Sequence, residues 1–110
     1  MMLSRKSIDQ SVSPFYNDWA KLTQDIQSCF QQHAGGCQEL IAQGYQVYEA
    51  LRERLDGMFG SDAPSPLNER ERLEFVRNSK SAHAASRQLE QLFIELKKKI
   101  ARVKLGYPAE

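Results

Sequence analysis

Cysteine is scarce in this 110-residue chain: Cys29 and Cys37 are the only two, too few for the disulfide framework of a small secreted scaffold. Six glycines and four prolines leave little for the turns of a many-stranded sandwich or barrel. No apolar run approaches the roughly 20 residues that span a bilayer. The opening Met1-Met2-Leu3-Ser4-Arg5-Lys6 has no apolar stretch behind its basic residues, so a secretory signal is not expected. Neither sign of charge dominates: 15 basic against 14 acidic residues give +1, which argues against an obligate nucleic-acid binder. A Gly-rich phosphate loop, a nucleophile elbow and an HExxH pair are all absent, and the two histidines have no carboxylate at an obvious orienting distance. The expectation is a non-enzymatic protein with no cofactor and no membrane span, in a reducing, cytoplasmic setting.

What is present is helical periodicity. Phe15, Trp19, Leu22, Ile26, Cys29 and Phe30 follow steps of three and four. Ser13-Pro14 reads as their start, with Ser as N-cap and Pro at the first helical position. Residues 1–12, with Met1, Met2, Leu3, Ile8 and Val12 as apolar anchors but no sustained period, read as a flexible lead-in. A second series runs through Cys37, Ile41, Gly44, Tyr48, Leu51, Leu55 and Met58. The stretch Gly60-Ser61-Asp62-Ala63-Pro64-Ser65-Pro66 cannot continue it. A third series follows from Asn68, through Phe75, Ala82, Leu89, Phe93, Leu96, Ile100 and Val103, ending at Gly106-Tyr107-Pro108.

These patterns predict an all-α chain: an antiparallel up-down bundle of three helices near 14–34, 37–59 and 68–105, in one domain over 13–107. Gly35-Gly36 decides between a break and one continuous first helix. Each glycine costs about 1 kcal/mol inside a helix and both are good C-cap residues, which favours the break.

Cys29, His33 and Cys37 stand at i, i+4 and i+8, a spacing that invites a metal. On an unbroken helix the outer two lie roughly 12 Å apart, too far to share an ion or a disulfide. Two small buried thiols beside an ordinary histidine is the favoured reading, with no metal site. Trp19, Phe15, Tyr16 and Phe30 read as core rather than as a ligand pocket. Glu69, Glu71 and Glu74, intermixed with Arg70 and Arg72, read as a solvated helix start.

Charge is divided unevenly. From Arg77 to Lys104 there are eight basic and two acidic residues, whereas residues 1–76 hold seven basic and eleven acidic ones. On one continuous helix Arg77, Lys80, Arg87, Lys98 and Arg102 fall within an arc of roughly 80°. This strip lacks aromatic residues for base stacking, so nucleic acid is a minor expectation.

The last helix carries Leu89, Leu92, Phe93, Leu96, Ile100 and Val103 along one face. A pair of shorter helices is expected to leave part of it bare, and a bare row of that size marks an interaction site. These six residues are the expected partner-binding set, for a protein client or regulator, or for a second copy in a homodimer.

Phe15-Tyr16-Asn17-Asp18-Trp19-Ala20-Lys21-Leu22, then Glu39-Leu40-Ile41 with Tyr45, Tyr48 and Leu51, then Asn78 with Leu89, Leu92, Leu96 and Ile100, resemble the small helical chaperones of flagellar and type III export, the FliT type. The resemblance implies a cytoplasmic chaperone that binds an aggregation-prone export substrate, here by capturing an amphipathic client helix on the last helix. A helical inhibitor or immunity-type protein is the alternative reading. It uses Glu49, Glu53 and Asp56 on the second helix as its contact set.

Overall fold

A computed structural model describes residues 3–109; Met1, Met2 and Glu110 lie outside it. The described residues form four α-helices and no strand: α1 (Arg5–Gln31), α2 (Cys37–Phe59), α3 (Glu69–Asn78) and α4 (Ala82–Lys104). The all-α class and the second helix stand where periodicity put them. Three other expectations are corrected.

The first helix begins at Arg5, eight residues before Ser13. Ser4 is its N-cap and forms a reciprocal capping box with Ser7, satisfying backbone donors of the first turn. Residues 5–12 are therefore helix, not a flexible lead-in, and Ile8 and Val12 are core. Pro14 lies inside α1, where it removes the bond to the carbonyl of Gln10. Both residues are exposed, so water can serve that oxygen. The missing period in residues 5–12 reflects a narrow contact stripe of one residue per turn.

The break at Gly35-Gly36 is real, and tighter than expected. His33 and Gly36 both take left-handed backbone, φ 52° and 88°, and the chain reverses within five residues. That reversal brings the Cα atoms of Cys29 and Cys37 to 5.9 Å, and the two are disulfide-bonded. The expectation of two separate thiols is overturned because the helix between them is not continuous.

The third segment is two helices, not one. Ser79-Lys80-Ser81 interrupts it, with extended backbone at Ser79 and Ser81 and the Ser81 side chain accepting from the Ala84 N–H. Serines capture backbone donors that a continuing helix would need, so a phase that carries on across Ser79 and Ser86 does not imply an unbroken helix. The three-helix bundle becomes an up-down-up-down arrangement of four, with α3 folded back on α4.

The central pair is α2 and α4. α1 and α3 each pack against both of them and do not touch each other. Along α1 and α4 the antiparallel register is continuous. Arg5 donates to the carbonyls of Lys104 and Leu105 at 3.1 and 3.2 Å, the Tyr16 hydroxyl donates to the Phe93 carbonyl at 2.9 Å, and Phe30 stacks on His83. Arg5 thus supplies a cation to the carbonyls ending α4. The core lies between these layers, built on Ile8, Ile26, Tyr48, Leu51, Leu55 and the inner face of α4.

Candidate functional site

The expected partner row on the last helix is consumed inside the chain. Leu89, Leu92 and Leu96 are fully buried, and Phe93 and Ile100 are nearly so; Val103 is half-buried. Trp19 lies flat on Phe93 with centroids 4.4 Å apart, and Tyr48 meets the same ring edge-on at 5.0 Å. The extra two turns of α1 supply the missing cover, through Ile8 and Val12. The row is core, so it offers no bare face for a client or a second copy. Among the described residues the exposed large apolar ones are instead Leu67, Phe75, Ile94 and Leu105.

The basic strip is also divided. Arg87, Lys98 and Arg102 remain exposed on α4, but Arg77 belongs to α3 and Lys80 to the turn beyond it. Among the described residues no group of three or more His, Cys, Asp or Glu side chains converges on a metal geometry, and no helix is long and apolar enough to cross a membrane.

The concave feature that gathers chemistry lies between α2 and α3. One hollow of about 600 Å³ is lined by Tyr45, Glu49, Arg52, Glu53, Asp56, Glu69, Arg70, Leu73, Glu74 and Arg77. A second of about 510 Å³ continues it toward Gln38, Ile41, Ala42 and Val76, sharing Tyr45, Glu49 and Arg77. Together they run along α2 from Gln38 to Asp56, roughly 27 Å at the helical rise. Glu49, Glu53 and Asp56, the contact set of the alternative reading, all line this groove. The helical spacing of three and four put these residues on one face. The sequence did not reveal the opposite wall, because that wall exists only once α3 has turned back at Ser79.

The wall is held by partly buried polar anchors. The Tyr48 hydroxyl donates to Glu69 Oε2 at 2.5 Å, and Arg52 donates to the same carboxylate at 2.9 Å and to the Pro64 carbonyl at 2.6 Å. Burial first, and then the Glu69 carboxylate, push the Tyr48 phenol far above its ordinary value; it stays protonated and acts as a donor. Glu69 is therefore not simply part of a solvated helix start, since it fastens α3 to α2, whereas Glu71 and Glu74 are exposed as expected. On the far side of α3, Arg72 forks onto Glu95 at 2.9 and 2.6 Å and reaches Gln88 at 2.6 Å. The hydrogen bond from Arg72 holds the Glu95 carboxyl below its usual range and raises the guanidinium in turn.

Inside the groove, Arg52 answers Glu69 and, at 3.3 Å, Asp56. Glu49, Glu53 and Glu74 then face only Arg70 and Arg77, so five carboxylates against three guanidinium groups leave the groove acidic. Tyr45, Leu73, Ile41 and Val76 form an apolar strip along its floor. Burial, and then Glu49, raise the Tyr45 phenol, which keeps it neutral in that strip. This combination suits recognition of a cationic, partly apolar segment.

The family profile of YpoC-like proteins matches residues 9–107, nearly the whole chain, from the second turn of α1 to beyond the end of α4. The chain belongs to the YpoC-like protein family. No curated protein and no solved structure matches it, and nothing in these comparisons connects this YpoC-like chain with the export chaperones that it resembles in layout.

Proposed function

We propose that this YpoC-like chain is a non-enzymatic, cytoplasmic protein-binding module whose docking surface is the α2/α3 groove. Its partner presents a basic amphipathic helix of about five turns. The observation that carries this reading is the convergence of Glu49, Glu53 and Glu74 beside the apolar strip of Tyr45 and Leu73. Helix-in-groove recognition uses an apolar face for affinity and flanking charges for orientation and encounter. The mode of action closest to this geometry is that of an inhibitor or regulator that covers a basic helix of its target.

A chaperone that captures clients on α4 is a poorer fit. It requires α1 to leave, exposing Ile8, Val12, Trp19 and Ile26, each worth about 1.5–3 kcal/mol of burial. Substituting Phe93 and Leu96 by Asp does not separate the two readings, because both positions are core and the chain would unfold.

Titration calorimetry against an 18-residue amphipathic Lys/Leu peptide tests the proposal. Affinity is expected to fall at least tenfold in the Glu49→Lys/Glu53→Lys variant and to weaken steeply between low and physiological salt. Equal affinity for a peptide of the same composition in scrambled order, or no loss on charge reversal, would sink it.

A further inference from the structure

The disulfide between Cys29 and Cys37 joins the last turns of α1 to the first residue of α2, and its two sulfurs sit in different surroundings. Cys29 is buried on the bundle side. Cys37 is half-buried, beside a loop, Gln32 to Gly36, that is exposed throughout. Cys37 also opens α2, whose N-cap is Gly36 with no side chain serving the first-turn donors. The positive end of the helix attracts an incoming anionic thiolate toward Cys37, the more exposed of the two sulfurs. Glu39, the acid of that first turn, is two positions on and about 200° around the helix, so it does not face the sulfur. The Ala34 carbonyl oxygen lies 3.5 Å from Cys29 Sγ and 3.4 Å from Cys37 Sγ. It stands ready to accept from either group once that group is a thiol, so the loop serves both redox forms.

A chain expected in a reducing compartment does not keep a disulfide as a permanent staple; there such bonds are transient and exchange. We propose that Cys29–Cys37 is a reversible thiol–disulfide exchange site whose partner is a Cys-X-X-Cys dithiol oxidoreductase, with Cys37 the sulfur that is attacked. A thiolate of the partner attacks Cys37 Sγ, the bond to Cys29 breaks, and Cys29 leaves as a thiolate that takes up a proton. The partner's second thiolate then attacks its own sulfur in the mixed disulfide and releases Cys37 as a thiolate. The partner ends oxidised by two electrons and this chain ends with two thiols. Glutathione disulfide runs the pair back to the bonded state. This site is separate from the α2/α3 groove; the proposal rests on the cytoplasmic setting of the proposed function and not on what the groove binds.

The full chain is oxidised with glutathione disulfide, treated with thioredoxin as the dithiol protein, and alkylated; a thioredoxin lacking its second cysteine traps the mixed disulfide. The expected results are no alkylation before thioredoxin, two alkyl groups per chain after it with helical circular dichroism retained, and trapped partner on Cys37 over Cys29 by roughly tenfold in peptide mass spectra. Two free thiols persisting in glutathione disulfide would overturn the proposal. So would reduction only after denaturation, or trapping on Cys29.

Discussion

The indole of Trp19 lies on the ring of Phe93, planes within 12° of parallel, and this stack is possible only because Gly44 has no side chain. A Cβ at Gly44 would sit 2.6 Å from Trp19 Cζ3 and 3.0 Å from Leu89 Cδ2. Three helices therefore meet through one indole, and a glycine in a helix interior is retained where helix propensity alone disfavours it. The Tyr16 hydroxyl and Tyr48 ring complete the enclosure of Phe93.

Gly44→Ala is expected to destabilise the chain by about 1–2 kcal/mol, overpacking outweighing the gain in helix propensity. Gly57, in the same helix, has open space around its Cβ position, so Gly57→Ala is expected to stabilise by about 0.5–1 kcal/mol. Urea denaturation of the two variants checks the pair: opposite signs are predicted, and two stabilising results would contradict the packing described.

Ile8 is wholly buried, in a segment with little sequence periodicity. Ile8→Ala is expected to cost about 2–4 kcal/mol. The midpoint in urea measures it. A change within about 0.5 kcal/mol, as for a surface position, would mean that the first turns of α1 do not cover α4.

The sequence made the helical class and α2 legible because an unbroken run of threes and fours, bounded by Gly36 and Gly60, needs no tertiary information. It hid the coverage of α4. That depends on Ile8 and Val12, two apolar residues four apart, too few to register as a period. The break at Ser79 was hidden for the opposite reason: hydrophobic phase persisted across it while serine side chains captured the backbone. The acidic half of the groove could be read from Glu49, Glu53 and Asp56 on one helix face, but its apolar floor and second wall could not.

Arg72 and Glu95 give the fold an acid-sensitive tie between α3 and α4. The Glu95 carboxyl is held below its unfolded value by its bond to Arg72. Its stabilisation is thus complete above about pH 4.3 and lost as pH falls through the lower folded value. Because Glu95 is 39% exposed, solvent screening limits the pair to about 0.5–1 kcal/mol. The stability gap between the native chain and Arg72→Ala is expected to narrow as the solution is acidified from pH 5 toward about pH 3. Thermal melts across that range check it; a gap that widens in acid would contradict the assignment.

The groove is tested most directly by amide chemical-shift mapping with the basic amphipathic peptide. Perturbations confined to Gln38–Asp56 and Glu69–Arg77, absent in the Glu49→Lys/Glu53→Lys variant, are the predicted result. Perturbations centred on Leu89–Ile100, with loss of the Tyr16 and Trp19 contacts to Phe93, would contradict it and return the binding role to α4.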